Sequence, residues 1–232
     1  MKTPVVNYRE FRFSRINEPQ YRHIWLLGGW IVYFTLYLLT EHLISYDNCH
    51  VIHSVVDDMI PFCEYFLVFY VGWFILVAGS LLFFFLYDIE SFVCLQKFLI
   101  VTQLVAMAVY IIYPSIQLLR PETFPRRNVF TWIMGIIYAF DTPTGVCPSL
   151  HVAYSLGIWS VFMKRKASSR RFKVFLSIFV LGVCLSVMFV KQHSFVDVMW
   201  ALPLCLLAEL LVYGKSYWLP RLMQHKTEQE NS

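Results

Sequence analysis

Two histidines carry the chemistry this sequence offers. His193 lies in the stretch 191–197, KQHSFVD, four residues before Asp197. On a helix, positions four apart share a face, so the carboxylate can accept from one imidazole nitrogen. That fixes the ring's tautomer and leaves the other nitrogen free as nucleophile or base. His151 closes the stretch 141–151, DTPTGVCPSLH, in which Pro148 and Ser149 stand where a helix should begin. A helix start offers unpaired backbone N–H groups and the positive end of the dipole, a combination that suits phosphate. Both stretches are short polar breaks between apolar runs, which puts both histidines at a membrane edge.

The elements that must position them are membrane helices. Of 232 residues, 58% are hydrophobic and only 15% are charged, against about 25% in a soluble domain. The apolar residues come in long runs, which predicts an all-α polytopic membrane bundle. The length suits one such domain. Apolar runs at 24–40, 65–87, 98–118, 149–163, 174–190 and 195–213 predict six spans, with residues 1–23 and 214–232 outside the membrane. Pro114 is expected to kink the end of the third. Residues 129–140 are apolar but too short to span, and predict an interfacial or re-entrant helix before the fourth span. Residues 45–61, with His50, His53, Asp57 and Asp58, predict a solvated loop, since no closed metal-ligand set appears. The tail from Gly214 is polar and expected to fray.

Lysine and arginine placement predicts orientation. With a cytoplasmic N-terminus, fifteen cations lie inside: Lys2, Arg9, Arg12, Arg15, Arg22, Lys97, six within 164–173, Lys215, Arg221 and Lys226. Outside lie Arg120, Arg126, Arg127 and Lys191, in the two loops nearest the histidines. Both termini are therefore expected in the cytoplasm and the histidines at the extracytoplasmic face. No short apolar core precedes a small-residue site in the first twenty residues, so no cleavable signal peptide is expected. The six cysteines show no C-x-x-C spacing; Cys49 and Cys63 could pair outside, and the others read as small hydrophobes. No nucleotide loop, Rossmann glycine set or nucleic-acid module is present, which argues against nucleotide and nucleic-acid partners.

Three clusters converge on one face: Arg120 with Pro121, the Pro148–His151 stretch, and His193 with Asp197. Here the sequence resembles the type 2 phosphatidic acid phosphatase superfamily, whose signatures run K-x6-R-P, P-S-x-H and S-R-x5-H-x3-D. The second is matched fully. The first is matched in Arg120 and Pro121, with Tyr113 at the lysine position. The third is matched in Ser186, His193 and Asp197, with Val187 at the arginine position. The likeness covers roughly residues 113–203. It implies that His193 is the nucleophile forming a phosphohistidine, that Asp197 orients it, and that His151 protonates the leaving alcohol. It implies a phosphate clamp of Arg120, Ser149, the Leu150 position and nearby backbone N–H groups. Lys191, two residues before His193, could supply the cation missing at Val187. No cofactor or metal is implied, because nucleophile, acid and clamp suffice for phosphoryl transfer.

Three functions follow as expectations. The first is a lipid phosphate phosphatase acting on a phospholipid or isoprenoid phosphate. The second is a lipid phosphotransferase, since Leu150 stands where many family phosphatases have glycine, as in the branch of inositol phosphorylceramide synthases. The third is a catalytically silent transporter or scaffold. Each residue also has a plainer reading. A lone edge histidine can bond a carbonyl, Arg120 can anchor at the interface, and Lys191 can snorkel. Arg126 and Arg127 read as headgroup contacts, Asp141 and Thr144 as loop and cap residues, and Glu209 has no evident role.

Overall fold

The computed structural model describes residues 4–230, and their side chains to residue 224. Lys2 and the side chain of Lys226, both counted in the charge asymmetry above, lie outside the described residues. The architecture is all-α. Its helices are α1 (Gly28–Leu43), α2 (Val55–Met59), α3 (Leu67–Tyr87), α4 (Ile89–Ile112), α5 (Val129–Phe140), α6 (Leu150–Lys164), α7 (Arg170–Phe189), α8 (Phe195–Tyr213) and α9 (Leu219–Glu230). Two short strands, β1 (His50–Val51) and β2 (Ser115–Ile116), pair in parallel with His50 opposite Ser115.

Among the described residues, five helical segments are long and apolar enough to cross a membrane: Arg22–Leu43, Glu64–Tyr87, Ile89–Ile112, Arg170–Phe189 and Phe195–Gln224. The protein is thus an integral membrane protein. Large apolar side chains such as Ile31, Ile75, Ile178 and Leu211 face outward, as a lipid solvent requires. Helix α6 has only 15 residues, a length of ~22 Å. It lies inside the bundle, packed on α4, α7 and α8, with Ala153, Tyr154 and Ile158 buried. Its approach to α4 is close: a Cβ at Gly157 would fall 2.6 Å from Phe98 Cδ1. One apolar cluster, with Phe92, Leu99, Tyr154 and Ile158, fills the middle of the bundle; a second, with Leu67, Tyr70, Met134, Val152 and Val187, underlies the histidines.

Polar side chains set the helix limits. Asp88 Oδ1 accepts from the Ser91 amide, Asn128 Oδ1 from Thr131, and Ser169 Oγ from Phe172, which start α4, α5 and α7. The third span therefore begins at Ile89 rather than at residue 98. Residues 88–97 are not a connecting loop, because the Asp88 cap starts the helix at once. Buried Gln96 is accommodated there by accepting from Trp30 Nε1 and donating to the Leu26 carbonyl. The helix stops at Ile112 and is not kinked. Pro114 lacks an N–H and disfavours the helical conformation at Tyr113, so it ends the helix. The tail does not fray at Gly214: a π-helical turn over Gly214–Trp218 leads into α9, and Trp218 Nε1 donates to Glu209.

Glu209 itself holds one end of the bundle together. It pairs with Lys164 at 2.5 Å and accepts from Ser160 Oγ, while Arg165 pairs with Asp88. The N-terminal segment docks at this same end: the Val5 amide donates to the Leu86 carbonyl, and Tyr8 Oη to that of Phe85. The histidines lie at the opposite end.

Candidate active site

Helices α6 and α8 begin side by side and each carries one histidine. Ser149 Oγ caps α6 by accepting from the Val152 amide at 3.5 Å, and His151 is the second residue of that helix. Ser194 caps α8 in a reciprocal box, in which the Asp197 carboxylate accepts from the Ser194 amide at 2.8 Å. One bond joins the two starts: the Ser149 amide donates to the Asp197 carbonyl at 3.0 Å.

This places His193 between Asp197 and His151. His193 Nδ1 lies 3.2 Å from Asp197 Oδ2, and His193 Nε2 lies 3.3 Å from His151 Nδ1. A carboxylate only accepts, so His193 carries its proton on Nδ1 and presents a lone pair at Nε2. His151 Nδ1–H then donates to that lone pair. His151 is held by the rings of Tyr70 and Trp73, with centroids 4.9 and 4.2 Å away, and its Nε2 is buried with no hydrogen-bond partner among the described residues. A line carboxylate–imidazole–imidazole can activate a nitrogen and deliver a proton beside it.

The turn before His193 is tightly wound. The Val187 carbonyl accepts from the amides of both Gln192 and His193. The Val187 side chain is fully buried in the apolar cluster below, so no cation can act from that position. Lys191 has a positive φ of 54°. Its ammonium donates to the Asp57 and Ile60 carbonyls, at 2.9 and 2.5 Å. Burial pulls the Lys191 amine below its ordinary range, against the opposing effect of Asp57 and Asp58. Lys191 thus ties the histidine loop to α2.

Arg120 reaches the site but is already engaged. Its Nη1 donates to the Tyr138 and Asp141 carbonyls, its Nη2 donates to Gln192 Oε1 at 2.6 Å, and its guanidinium lies over the Tyr138 ring. Its Nε is buried with no hydrogen-bond partner among the described residues. Gln192 Nε2 donates in turn to Asp141 Oδ2 at 3.0 Å. Leu150 and Ser149 are buried at the start of α6. His151, His193, Gln192, Leu150 and Asp141 line a cavity of about 110 Å³ with Tyr33, Tyr37 and Tyr110. A larger groove of about 680 Å³ between α3 and α7 is lined by neither histidine.

Residues 45–61 are not merely a solvated loop. Asp57 is buried; its Oδ2 accepts from Ser194 Oγ at 2.5 Å and its Oδ1 from the Phe195 amide at 2.7 Å. Asp57 therefore buttresses the start of α8, a role with no signal in sequence spacing. His53 pairs with Asp58 instead, at 2.8 Å. Buried Glu64 accepts from Arg126 Nε and Nη2 and from Asn128 Nδ2, which fixes the entry to α5. Tyr113, at the lysine position of the first signature, stacks on His50 with centroids 4.0 Å apart. Cys49 and Cys63 are both free thiols.

No protein-family profile, no curated protein and no solved structure matches this chain.

Proposed function

We propose that this protein is a membrane phosphoryl-transfer enzyme of the type 2 phosphatidic acid phosphatase kind, acting on a lipid phosphate through a phosphohistidine at His193. The observation that carries this reading is the hydrogen-bonded line Asp197–His193–His151 at the wall of a cavity. His193 Nε2 attacks phosphorus and the bond to the leaving alcohol breaks. His151, charged by a proton taken up as the phosphate anion enters the cavity, gives that oxygen its proton. Water, or a second lipid alcohol, then attacks phosphorus, gives a proton back to His151 and releases His193. The 3.3 Å between the rings leaves no room for phosphorus between them, so the substrate approaches from the cavity side or parts the rings.

In this reading α6 is a sixth span, both termini are cytoplasmic, and the histidine end faces outward. The asymmetry of Lys and Arg supports that orientation, as do Arg120, Arg126, Arg127 and Lys191 at the histidine end. The test uses purified protein and labelled lipid phosphates, with and without diacylglycerol or ceramide. Free phosphate indicates hydrolysis and a new phospholipid indicates transfer. Either product must vanish in His193→Ala, and label must be trapped on the wild-type protein. No His193-dependent turnover of any lipid overturns the reading.

A further inference from the structure

Helices α3 and α7 pack closely toward the histidine end and part away from it. A Cβ at Gly182 would fall 2.5 Å from Phe69 Cδ1, and one at Gly72 would fall 2.7 Å from Phe179 Cζ. Further along α3, a Cβ at Gly79 would meet nothing within 4 Å. The space so opened is the groove of about 680 Å³, with buried Phe162 and Leu176 beneath it and outward-facing Ile75 and Phe175 at its rim. It follows α3 from Gly72 to Phe83, a rise of ~16 Å at ~1.5 Å per residue. That is close to half of the ~30 Å hydrocarbon core, the depth of one leaflet. Among the described residues, no carboxylate lines it.

The far end of the groove is polar and basic. Arg165, Ser168 and Ser169 line it there, where the chain passes from α6 to α7. Ser168 Oγ is buried with no hydrogen-bond partner among the described residues. The first turn of α7 carries Arg170 and Arg171 and no acidic residue. Two cations at the positive end of a helix dipole oppose it, and an anion placed there relieves both. Asp88 and Glu209, two carboxylates at this end of the bundle, are already matched by Arg165 and Lys164. Lys166, Arg170 and Arg171 are exposed and have no ion-pair or hydrogen-bond partner among the described residues.

We propose that this groove binds one anionic phospholipid of the leaflet opposite the histidines. An acyl chain lies between α3 and α7 against Gly79, and the phosphate sits at the first turn of α7 with Arg170 and Arg171. In a bilayer a lipid chain fills such a groove, since an empty one forfeits the dispersion contacts of its walls. The charge at its mouth then selects among lipids. A zwitterionic headgroup brings an ammonium toward three unpaired cations, whereas an anionic one brings net negative charge. In the orientation proposed above this is the cytoplasmic leaflet, whose surface carries anionic lipid. The site is remote from the histidines and does not depend on the phosphoryl-transfer reading.

The test uses full-length His193→Ala, so that no turnover through His193 consumes the probes, in phosphatidylcholine nanodiscs. Each nanodisc holds a trace of phosphatidylglycerol or phosphatidylcholine with a photoreactive diazirine on one acyl chain, and mass spectrometry of the digested protein locates the adducts. The phosphatidylglycerol probe should label residues 72–83 and 172–179 at least ~10-fold more than the phosphatidylcholine probe, a difference of about 1.4 kcal/mol. Adding Arg170→Gln and Arg171→Gln should bring the two probes level. Adding Gly79→Leu, whose side chain enters open space, should cut labelling of the groove by both probes and leave labelling around exposed Leu211 on α8 unchanged. Equal labelling by the two probes in the parent protein overturns the proposal, as does a preference that the arginine substitutions do not move. Protection of the groove from both probes, with adducts joining two copies of the chain, also overturns it and assigns the groove to a dimer interface. Competition by glycerol phosphate as strong as that by a short-chain phosphatidylglycerol would reduce the site to a phosphate site and discard the lipid.

Discussion

Ser194 Oγ donates to Asp57 Oδ2 across 2.5 Å, although the two residues lie 137 positions apart in the chain. The bond sets the start of α8, and hence His193 and Asp197, against the short helix α2. Asp57 touches neither histidine, so its role is to position. Asp57→Asn keeps the shape but sets an amide against the donors Ser194 Oγ–H and Phe195 N–H. Hydrogen bonds to a charged acceptor are worth ~1.5–3 kcal/mol, so kcat should fall ~10- to 100-fold with little change in KM. Unchanged kcat in a variant that unfolds at a lower temperature would make Asp57 purely structural.

Removing the nucleophile should separate chemistry from folding. His193→Ala is expected to abolish turnover while the protein still inserts and elutes as wild type. His151→Ala should slow substrates with poor alcohol leaving groups far more than those with a good one such as nitrophenol, because a good leaving group needs no proton. An equal loss on both substrate types would remove His151 from the acid role.

Lys191 is expected to act through the loop. Its ammonium is bonded to the Asp57 and Ile60 carbonyls, so Lys191→Met should loosen the turn that presents His193. The prediction is a fall in kcat of roughly tenfold, the same for monoester and diester substrates. A loss concentrated in KM, and larger for the more highly charged phosphate, would return Lys191 to the phosphate clamp. Arginine at Val187 should not rescue the variant, because that side chain is sealed in the apolar cluster.

Asp141 gives stability a signed pH dependence. Burial pushes the Asp141 carboxyl above the ordinary carboxylate range, with Glu41 adding to the rise and Arg120 and His193 opposing it. Asp141 therefore takes up its proton at a higher pH than an exposed aspartate. The folded state binds this proton more readily than the unfolded chain, so this group's contribution to stability improves as pH falls. Thermal unfolding of the full-length protein in detergent, measured across pH, checks this, with Asp141→Asn expected to flatten that part of the profile.

Orientation is tested by labelling. In a background with Cys49 and Cys63 replaced by serine, cysteine at exposed Thr123 should react with an impermeant thiol reagent from outside intact cells. Cysteine at exposed Ala167 should react only after permeabilisation. The reverse pattern would move the histidines to the cytoplasmic face.

The sequence alone determined the parts whose cause is local. Apolar runs mark helices because every backbone group in lipid must be satisfied within its own segment. So α5 and α8 have the predicted limits, and α6 and α7 come within a few residues of theirs. The four-residue spacing of His193 and Asp197 was legible because both lie at the start of one helix, with Ser194 as its cap. Contacts between distant segments were not legible, since no spacing encodes them. The carboxylate of Asp57, read as part of a solvated loop, is buried under α8. Lys191 turns from the histidines to two carbonyls, and Glu209 finds Lys164 and Trp218. The start of α4 lies nine residues before the apolar run at 98, because the Asp88 cap begins the helix at Ile89. Tertiary packing also decided the charge balance of the pocket. Arg120 counts as a free cation in the sequence, but the folded chain bonds it to two carbonyls and Gln192 and pairs it with the Asp141 carboxylate at 3.9 Å beside His193.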